Sequence, residues 1–196
     1  MKKMVFFLLL ILVSALFITA QTKPAPATRM KPALLVIDIQ NAYLPRMDEK
    51  DVKPGMEMIN YVIALFRDNG FPVIRIYHTD PKYGPAVDSE AFEFPKTVAI
   101  KPDDPKIVKN FPSAFKKTNL DKLLREKGIN TVFLCGLSAV GCVLATYHGA
   151  MELDYNMFMV MDALISHDSD LTKSVQKICR AVDYWSLKLL LENICR

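Results

Sequence analysis

Apolar residues along this chain fall into two alternating patterns. Short unbroken runs recur at Ala33-Leu34-Leu35-Val36-Ile37, Pro72 to Tyr77, Val132-Phe133-Leu134-Cys135 and Asn156 to Met161. Such runs mark strands buried on both faces, as in parallel sheets. Lys106 to Lys109 predicts a shorter strand, and Ala181 to Trp185 an edge strand. Between the runs, apolar residues return at helical spacing: Met56, Ile59, Ile63 and Phe66; Leu120, Leu123 and Leu124; Val143, Thr146, Tyr147, Ala150 and Leu153. Pro54 is expected near the first turn of its helix, and Asn69-Gly70 at its end. Asn119, Asp168 or Ser169, and Ser186 are expected to cap later helices. Strands alternating with helices predict a three-layer α/β/α fold with a mainly parallel, Rossmann-like sheet. The segment from His78 to about Pro105 has no periodicity, and loops of that length are commonly functional or mobile.

The first residues follow another pattern. Lys2-Lys3 precedes an apolar run from Met4 to Ile18, broken only by Ser14, and Thr19-Ala20-Gln21 follows. This is the layout of a signal peptide. The expected organisation is signal peptide 1–20, linker 21–32 and one domain over 33–196. Export to a periplasmic or extracellular space follows, with no stable membrane insertion after cleavage. The alternative is an uncleaved N-terminal anchor, for which the run is short against the roughly 20 residues of a spanning helix.

Composition narrows the functional classes. The net charge of +4 comes with no basic cluster interleaved with aromatics, so nucleic acid is not an expected partner. The four cysteines form no CxxC pair and no zinc-ligand spacing. In an oxidising compartment, Cys179 and Cys195 would pair only if their Cα atoms came within about 7 Å.

The chemistry gathers at strand ends. After Val132 to Cys135 the chain breaks into Gly136, Ser138 and Gly141, and Cys142 is expected to open a helix running to about Leu153. Unpaired N–H groups at a helix start lower a thiol pKa and favour the thiolate. The plain alternative is a small buried hydrophobe. Asp38 and Lys109 end two other predicted strands. In a parallel sheet those ends share one edge, where open α/β sheets bind ligands. There a carboxylate can take the thiol proton, an ammonium can hold developing negative charge, and turn N–H groups can form an oxyanion hole. Asp38 has a competing role as a turn cap for Asn41 to Tyr43.

Leu34 to Gln40 with its Asp-x-Gln, Val108 to Phe115, Gly136-Leu137-Ser138 with Cys142, Val143 and Thr146, and Val160 to Ala163 together resemble the isochorismatase-like cysteine hydrolases. That family includes nicotinamidases and carbamoylsarcosine amidase, and the resemblance spans roughly Ala33 to Ile194. It implies Cys142 as nucleophile through a thioester, Asp38 as base and Lys109 as electrostatic partner. It also implies a cis peptide at Leu137–Ser138, an oxyanion hole from the Ser138 and Cys142 N–H groups, and self-association. Metal-binding members carry an Asp-x-His pair and a further histidine. Here His78-Thr79-Asp80 has the reverse order, so neither metal nor cofactor is expected. Tyr147, Gly149 and Asp154 depart from the family pattern. Tyr43, His78, Phe111, Phe115 and Tyr147 are the candidate pocket residues. The expected function is a secreted cysteine hydrolase of an amide-like C–N bond in a small molecule. The competing readings are a non-catalytic binding module and a redox-active thiol protein.

Overall fold

The apolar runs form one sheet in a computed structural model that describes residues 29–194. The expected signal peptide, most of the linker, and Cys195 with its pairing to Cys179 lie outside the described residues. Among them, no helix is long and apolar enough to cross a membrane. The strands are β1 (Pro32–Ile37), β2 (Val73–His78), β3 (Lys106–Lys109), β4 (Thr131–Leu137), β5 (Asn156–Ile165) and β6 (Ala181–Val182). All neighbours are parallel, in the order β3-β2-β1-β4-β5-β6. The chain therefore winds outward from β1 in one direction and from β4 in the other. The carboxyl ends of β1 and β4 flank the switch point, where doubly wound sheets open a crevice.

Two helical layers cover the sheet. The helices are α1 (Glu49–Asp68), α2 (Leu120–Glu126), α3 (Leu144–Met151), α4 (Ser169–Ile178) and α5 (Tyr184–Ile194). Successive strand residues point to opposite faces, and the core divides accordingly. Leu34, Val36, Phe133 and Cys135 pack with Ile59, Ile63 and Phe66 of α1 and Leu187 and Leu191 of α5. Leu35, Ile37, Val132 and Leu134 pack with Leu120 and Leu124 of α2, Tyr147 and Ala150 of α3 and Val175 of α4. Each large apolar side chain so buried contributes about 1.5–3 kcal/mol.

Several boundaries differ from the sequence reading. Helix α1 starts at Glu49, because Asp48 caps it by accepting from the Lys50 N–H, and Pro54 lies inside the helix. The carbonyl that loses its partner to Pro54 is that of exposed Lys50, where water can replace it. Strand β5 runs on through Asp162 and Ala163 with a register shift opposite Leu134/Gly136, so Asp162 is not at its end. Strand β6 is only Ala181–Val182, and α5 starts at Tyr184. Asp183, not Ser186, supplies the accepting carboxylate, to the Ser186 N–H at 3.0 Å. Asn119 caps nothing with its side chain; the Thr118 hydroxyl accepts from the Leu120 N–H at 3.2 Å instead. Asp168 does cap α4, at the Asp170 and Leu171 N–H groups.

The long segment between β2 and β3 is pinned rather than loose. Phe92 and Phe94 stack on Tyr77 with centroids 5.0 and 4.2 Å apart. The Asn41 and Ala42 N–H groups donate to the Glu93 and Ala91 carbonyls at 3.0 and 2.9 Å. This holds the chain after β1 against the segment and fixes one wall of the crevice.

Asp154, which stands where the resembled family has glycine, has φ 65°, in the left-handed region that costs a side chain about 1 kcal/mol. Asp154→Gly is expected to stabilise the fold by about 0.5–1 kcal/mol. A raised urea midpoint at unchanged m-value would establish this; an unchanged or lowered midpoint would refute it.

Candidate active site

Backbone geometry at the switch point places the reactive groups. Gly136 pairs with Ile37 at φ 111°, and a Cβ there would lie 2.1 Å from the Ile37 carbonyl oxygen. Only glycine permits this approach. One residue beyond Ile37, Asp38 takes φ 52°, a conformation aspartate tolerates better than most residues. The chain leaves β4 through a cis peptide at Leu137–Ser138. It then enters a π-helical turn, Ala139–Val143, kinked at Gly141 (φ −117°, ψ −107°). Cys142 sits within this turn and α3 begins at Leu144, so the cysteine does not open an α-helix as the sequence predicted. The Ser138 carbonyl accepts from the Gly141 and Val143 N–H groups at 2.9 and 3.2 Å.

Lys109 ends β3, and the β2 end lies between it and Asp38. Its side chain crosses that end. Lys109 Nζ donates to Asp38 Oδ2 at 2.7 Å and to His78 Nδ1 at 3.1 Å. Asp38 and Lys109 are only 2% and 1% exposed. The second carboxylate oxygen, Oδ1, is buried and accepts no hydrogen bond of good geometry. The Cys142 thiol stands beside this pair: ligand atoms of Asp38, His78 and Cys142 all lie within 4.8 Å of one another.

Two residues outside the predicted set hold this arrangement. Buried Gln40 donates through Nε2 to the His78 carbonyl at 3.0 Å and accepts from the His78 N–H at 2.7 Å. It clamps the β2 end to the chain leaving β1, which gives the Asp-x-Gln pattern its physical sense. The Thr146 hydroxyl accepts from the Ala114 N–H at 3.0 Å, docking the segment after Lys109 onto α3. Gly149 permits that docking, since a Cβ there would meet Ser113 Oγ at 2.5 Å. A polar residue at a core-facing helix position was the available signal for Thr146.

The pocket candidates divide. Tyr43 lies against His78, with ring centroids 6.0 Å apart. Its phenol is pushed up to about 12 by burial and then by the Asp38 carboxylate. Phe111 lies beneath the Lys116 and Lys117 ammoniums. Phe115 instead packs on Tyr155 at 5.7 Å and lines a separate cavity of about 380 Å³ with His148 and Gly149. Tyr147 is buried in the core, and its hydroxyl accepts from the Arg180 N–H at 3.0 Å, so it does not narrow the crevice. The Ser138 hydroxyl is buried without a hydrogen bond.

Electrostatics correct one expectation. The Cys142 thiol is pushed up to about 12, first by burial and then by the Asp38 carboxylate, with Lys109 opposing. The resting sulfur is therefore a thiol, not the thiolate expected at a helix start. Burial also raises the Asp38 carboxyl above its ordinary value, against the opposing pull of Lys109. Burial and the Lys109 charge push His78 down to about 4, leaving a neutral imidazole at pH 7. Such a site can pass a proton from sulfur to carboxylate while a fixed cation stands by.

In the reversed His78-Thr79-Asp80 pattern, Asp80 belongs to a turn. The Asp80 carboxylate accepts from the Lys82 and Tyr83 N–H groups at 2.8 and 2.9 Å, which commits it to a turn. Asp38, His78 and Cys142 do form a set of three ligand atoms, which the sequence reading did not foresee. The Lys109 ammonium already bonds two of them.

Residues 32–179 match the Isochorismatase domain. The chain belongs to the isochorismatase family. It is 31% identical over 141 residues to an uncharacterised family protein of Bacillus subtilis, YddQ, covering 68% of this chain and 77% of that one. It is 29% identical over 162 residues to maleamate amidohydrolase of Pseudomonas putida, covering 71% and 75%. N-carbamoylsarcosine amidase of Thermoplasma acidophilum has the same fold, with a TM-score of 0.68 and 28% identity over 79% of this chain and 95% of that one. The protein is thus an isochorismatase-like hydrolase with amidohydrolase relatives.

The sign of the thiol shift can be measured. A carboxylate beside sulfur disfavours thiolate, so Asp38→Asn should lower the Cys142 pKa from about 12 toward the ordinary thiol range near 8.5. Thiolate ultraviolet absorbance against pH reads this directly. A wild-type titration below pH 8, or a rise in the Asn variant, would contradict it.

Proposed function

We propose that this protein hydrolyses an amide-like C–N bond of a small molecule through a Cys142 thioester. The observation that carries the reading is the division of labour on Asp38. One carboxylate oxygen is held by Lys109 at 2.7 Å; the other is buried and takes no bond of good geometry, and the carboxylate lies within 4.8 Å of the thiol sulfur and interacts with it. An unbonded carboxylate oxygen next to a sulfhydryl is a general base waiting for its proton.

Cys142 sulfur bonds to the substrate carbonyl carbon as its proton passes to Asp38 Oδ1. Because the thiol is pushed up to about 12, attack and proton transfer go together rather than through a standing thiolate. Negative charge moves to the carbonyl oxygen, which the Ser138 and Cys142 backbone N–H groups receive. Asp38 returns the proton to the leaving nitrogen as the C–N bond breaks, leaving a thioester and an amine. Water then adds to the thioester, giving its proton to Asp38, and the proton returns to sulfur as the acid leaves. Lys109 keeps Asp38 oriented and offsets the negative charge that shuttles between carboxylate and oxyanion. The amidohydrolase relatives support the C–N class; loop side chains such as Tyr43 select the molecule. The basic start and apolar run of residues 2–18 support export with a cleaved signal peptide.

Mass spectrometry of protein incubated with a panel of small amides tests this. An acyl adduct on Cys142 that decays with product release is expected; turnover without one, or turnover by Cys142→Ala, would refute it. Asp38→Asn is expected to reduce kcat by about 10²–10³-fold or more. Removing one partner of a buried ion pair also costs about 3–5 kcal/mol of stability, so circular dichroism must accompany the assay. Since burial raises the Asp38 carboxyl, and the base must be ionised, activity is present above that pKa and lost as pH falls through it. That loss should begin at higher pH than for an ordinary aspartate near 3.9. Exhaustive chelation is expected to leave the rate unchanged, with metal content measured alongside. A loss restored by one divalent ion would overturn the metal-free route.

A further inference from the structure

Lys109 is 1% exposed, so its three ammonium protons need protein acceptors. Asp38 Oδ2 takes one at 2.7 Å. His78 Nδ1 lies 3.1 Å away. An ammonium only donates, so Nδ1 must accept, and the neutral imidazole carries its proton on Nε2. The Cys142 sulfur lies within 4.8 Å of ligand atoms of both Asp38 and His78, the two side chains that the ammonium bonds, so the third N–H is the one left for it.

We propose that His78 is a positioning residue: by taking one Lys109 proton through Nδ1, it fixes the direction of the N–H that faces the Cys142 sulfur. Without that acceptor the ammonium can rotate about its terminal bond, and its charge is no longer aimed where thiolate character develops. Tyr43 restrains the ring from one side at 6.0 Å. The charged or titratable groups around the imidazole are Asp38, Lys109, Asp80, Tyr43 and Cys142, and among them Lys109 is the cation. The side chain is not needed to hold the strand. Gln40 grips the His78 backbone N–H and carbonyl, and that clamp survives any substitution with an ordinary backbone. The inference rests on the reading of Cys142 as nucleophile.

Three variants separate acceptor from bulk. His78→Asn keeps an oxygen near the Nδ1 position. His78→Gln keeps polarity but moves the oxygen outward, and His78→Leu removes it. Two readouts apply: the rate of Cys142 alkylation by iodoacetamide against pH, which needs no substrate, and kcat and KM on an accepted amide. His78→Leu and His78→Gln should slow alkylation at pH 8 about tenfold, the effect of one pKa unit. They should lower kcat by about 10²-fold with KM nearly unchanged, and His78→Asn should restore most of both. If His78→Leu fails to fold, the Gln and Asn pair still decides. Wild-type alkylation in a folded Leu or Gln variant, or an Asn variant as defective as the Gln one, overturns the proposal. Should alkylation behave as expected while no amide is hydrolysed by wild type, the positioning role stands and the hydrolase reading fails.

Discussion

A buried ion pair between Asp38 and Lys109 is the contact on which the rest of this site depends. Two charges at 2% and 1% exposure lose several kcal/mol of hydration each, and their attraction repays this only with good geometry and satisfied protons. The fold supplies the geometry at the 2.7 Å contact and a second acceptor for the ammonium at His78 Nδ1. Lys109 comes from the edge strand β3 and must cross the β2 end to reach Asp38. The Gln40 clamp, the stacking of Phe92 and Phe94 on Tyr77, and the docking of Ala114 on Thr146 hold the elements that this reach spans. A hydrophobic pair would stabilise the same core at least as well, so the pair is explained by chemistry rather than by stability.

The same burial inverts the usual account of an activated cysteine. A thiol at an open helix start is acidified by unpaired N–H groups. Here the cysteine lies in a π-turn beside a carboxylate, and desolvation and that charge both favour the protonated sulfur. Asp38 is raised too. Raising both keeps the proton on the sulfur at rest while making the carboxylate a stronger base than an exposed aspartate.

Much of this was legible because burial patterns are local. Continuous apolar runs specify two-sided strands, and the strands order their carboxyl ends on one edge. That rule put Asp38, Lys109 and Cys142 on one edge, and the structure brings the three side chains together. Other features were set by tertiary contacts. Asp48 and Asp183 capped helices because the backbone turned there, where several Asp and Ser residues compete equally in sequence. Tyr147 and Phe115 read as pocket aromatics because they neighbour motif residues in sequence. Helical periodicity instead sends Tyr147 into the α3 core, where its hydroxyl meets the Arg180 backbone. The thiol pKa was misjudged because its sign is set first by burial and then by the Asp38 carboxylate, and both depend on tertiary contacts that a local motif does not show. Gln40 carried no visible role until its partner, the backbone of a residue on another strand, was known.

The lysine also bears on an arrangement that resembles a metal centre. Carboxylate, imidazole and thiol within 4.8 Å are a chemically sound ligand set for a divalent cation. The Lys109 ammonium is bonded to two of the three and so occupies that role with a single, covalently tethered charge. A cation entering here would have to displace it against mutual repulsion and leave an ammonium buried without its acceptors. A tethered ammonium differs from a metal in what it does to sulfur. A metal would bind the thiolate and deprotonate it outright, which removes the nucleophile's proton before substrate arrives. An ammonium offers only a hydrogen bond, which leaves the proton on sulfur; in the proposed route Asp38 takes it during attack. The site has the ligand set of a metal centre with a fixed ammonium bonded to two of its members, and that ammonium comes from the end of a four-residue edge strand.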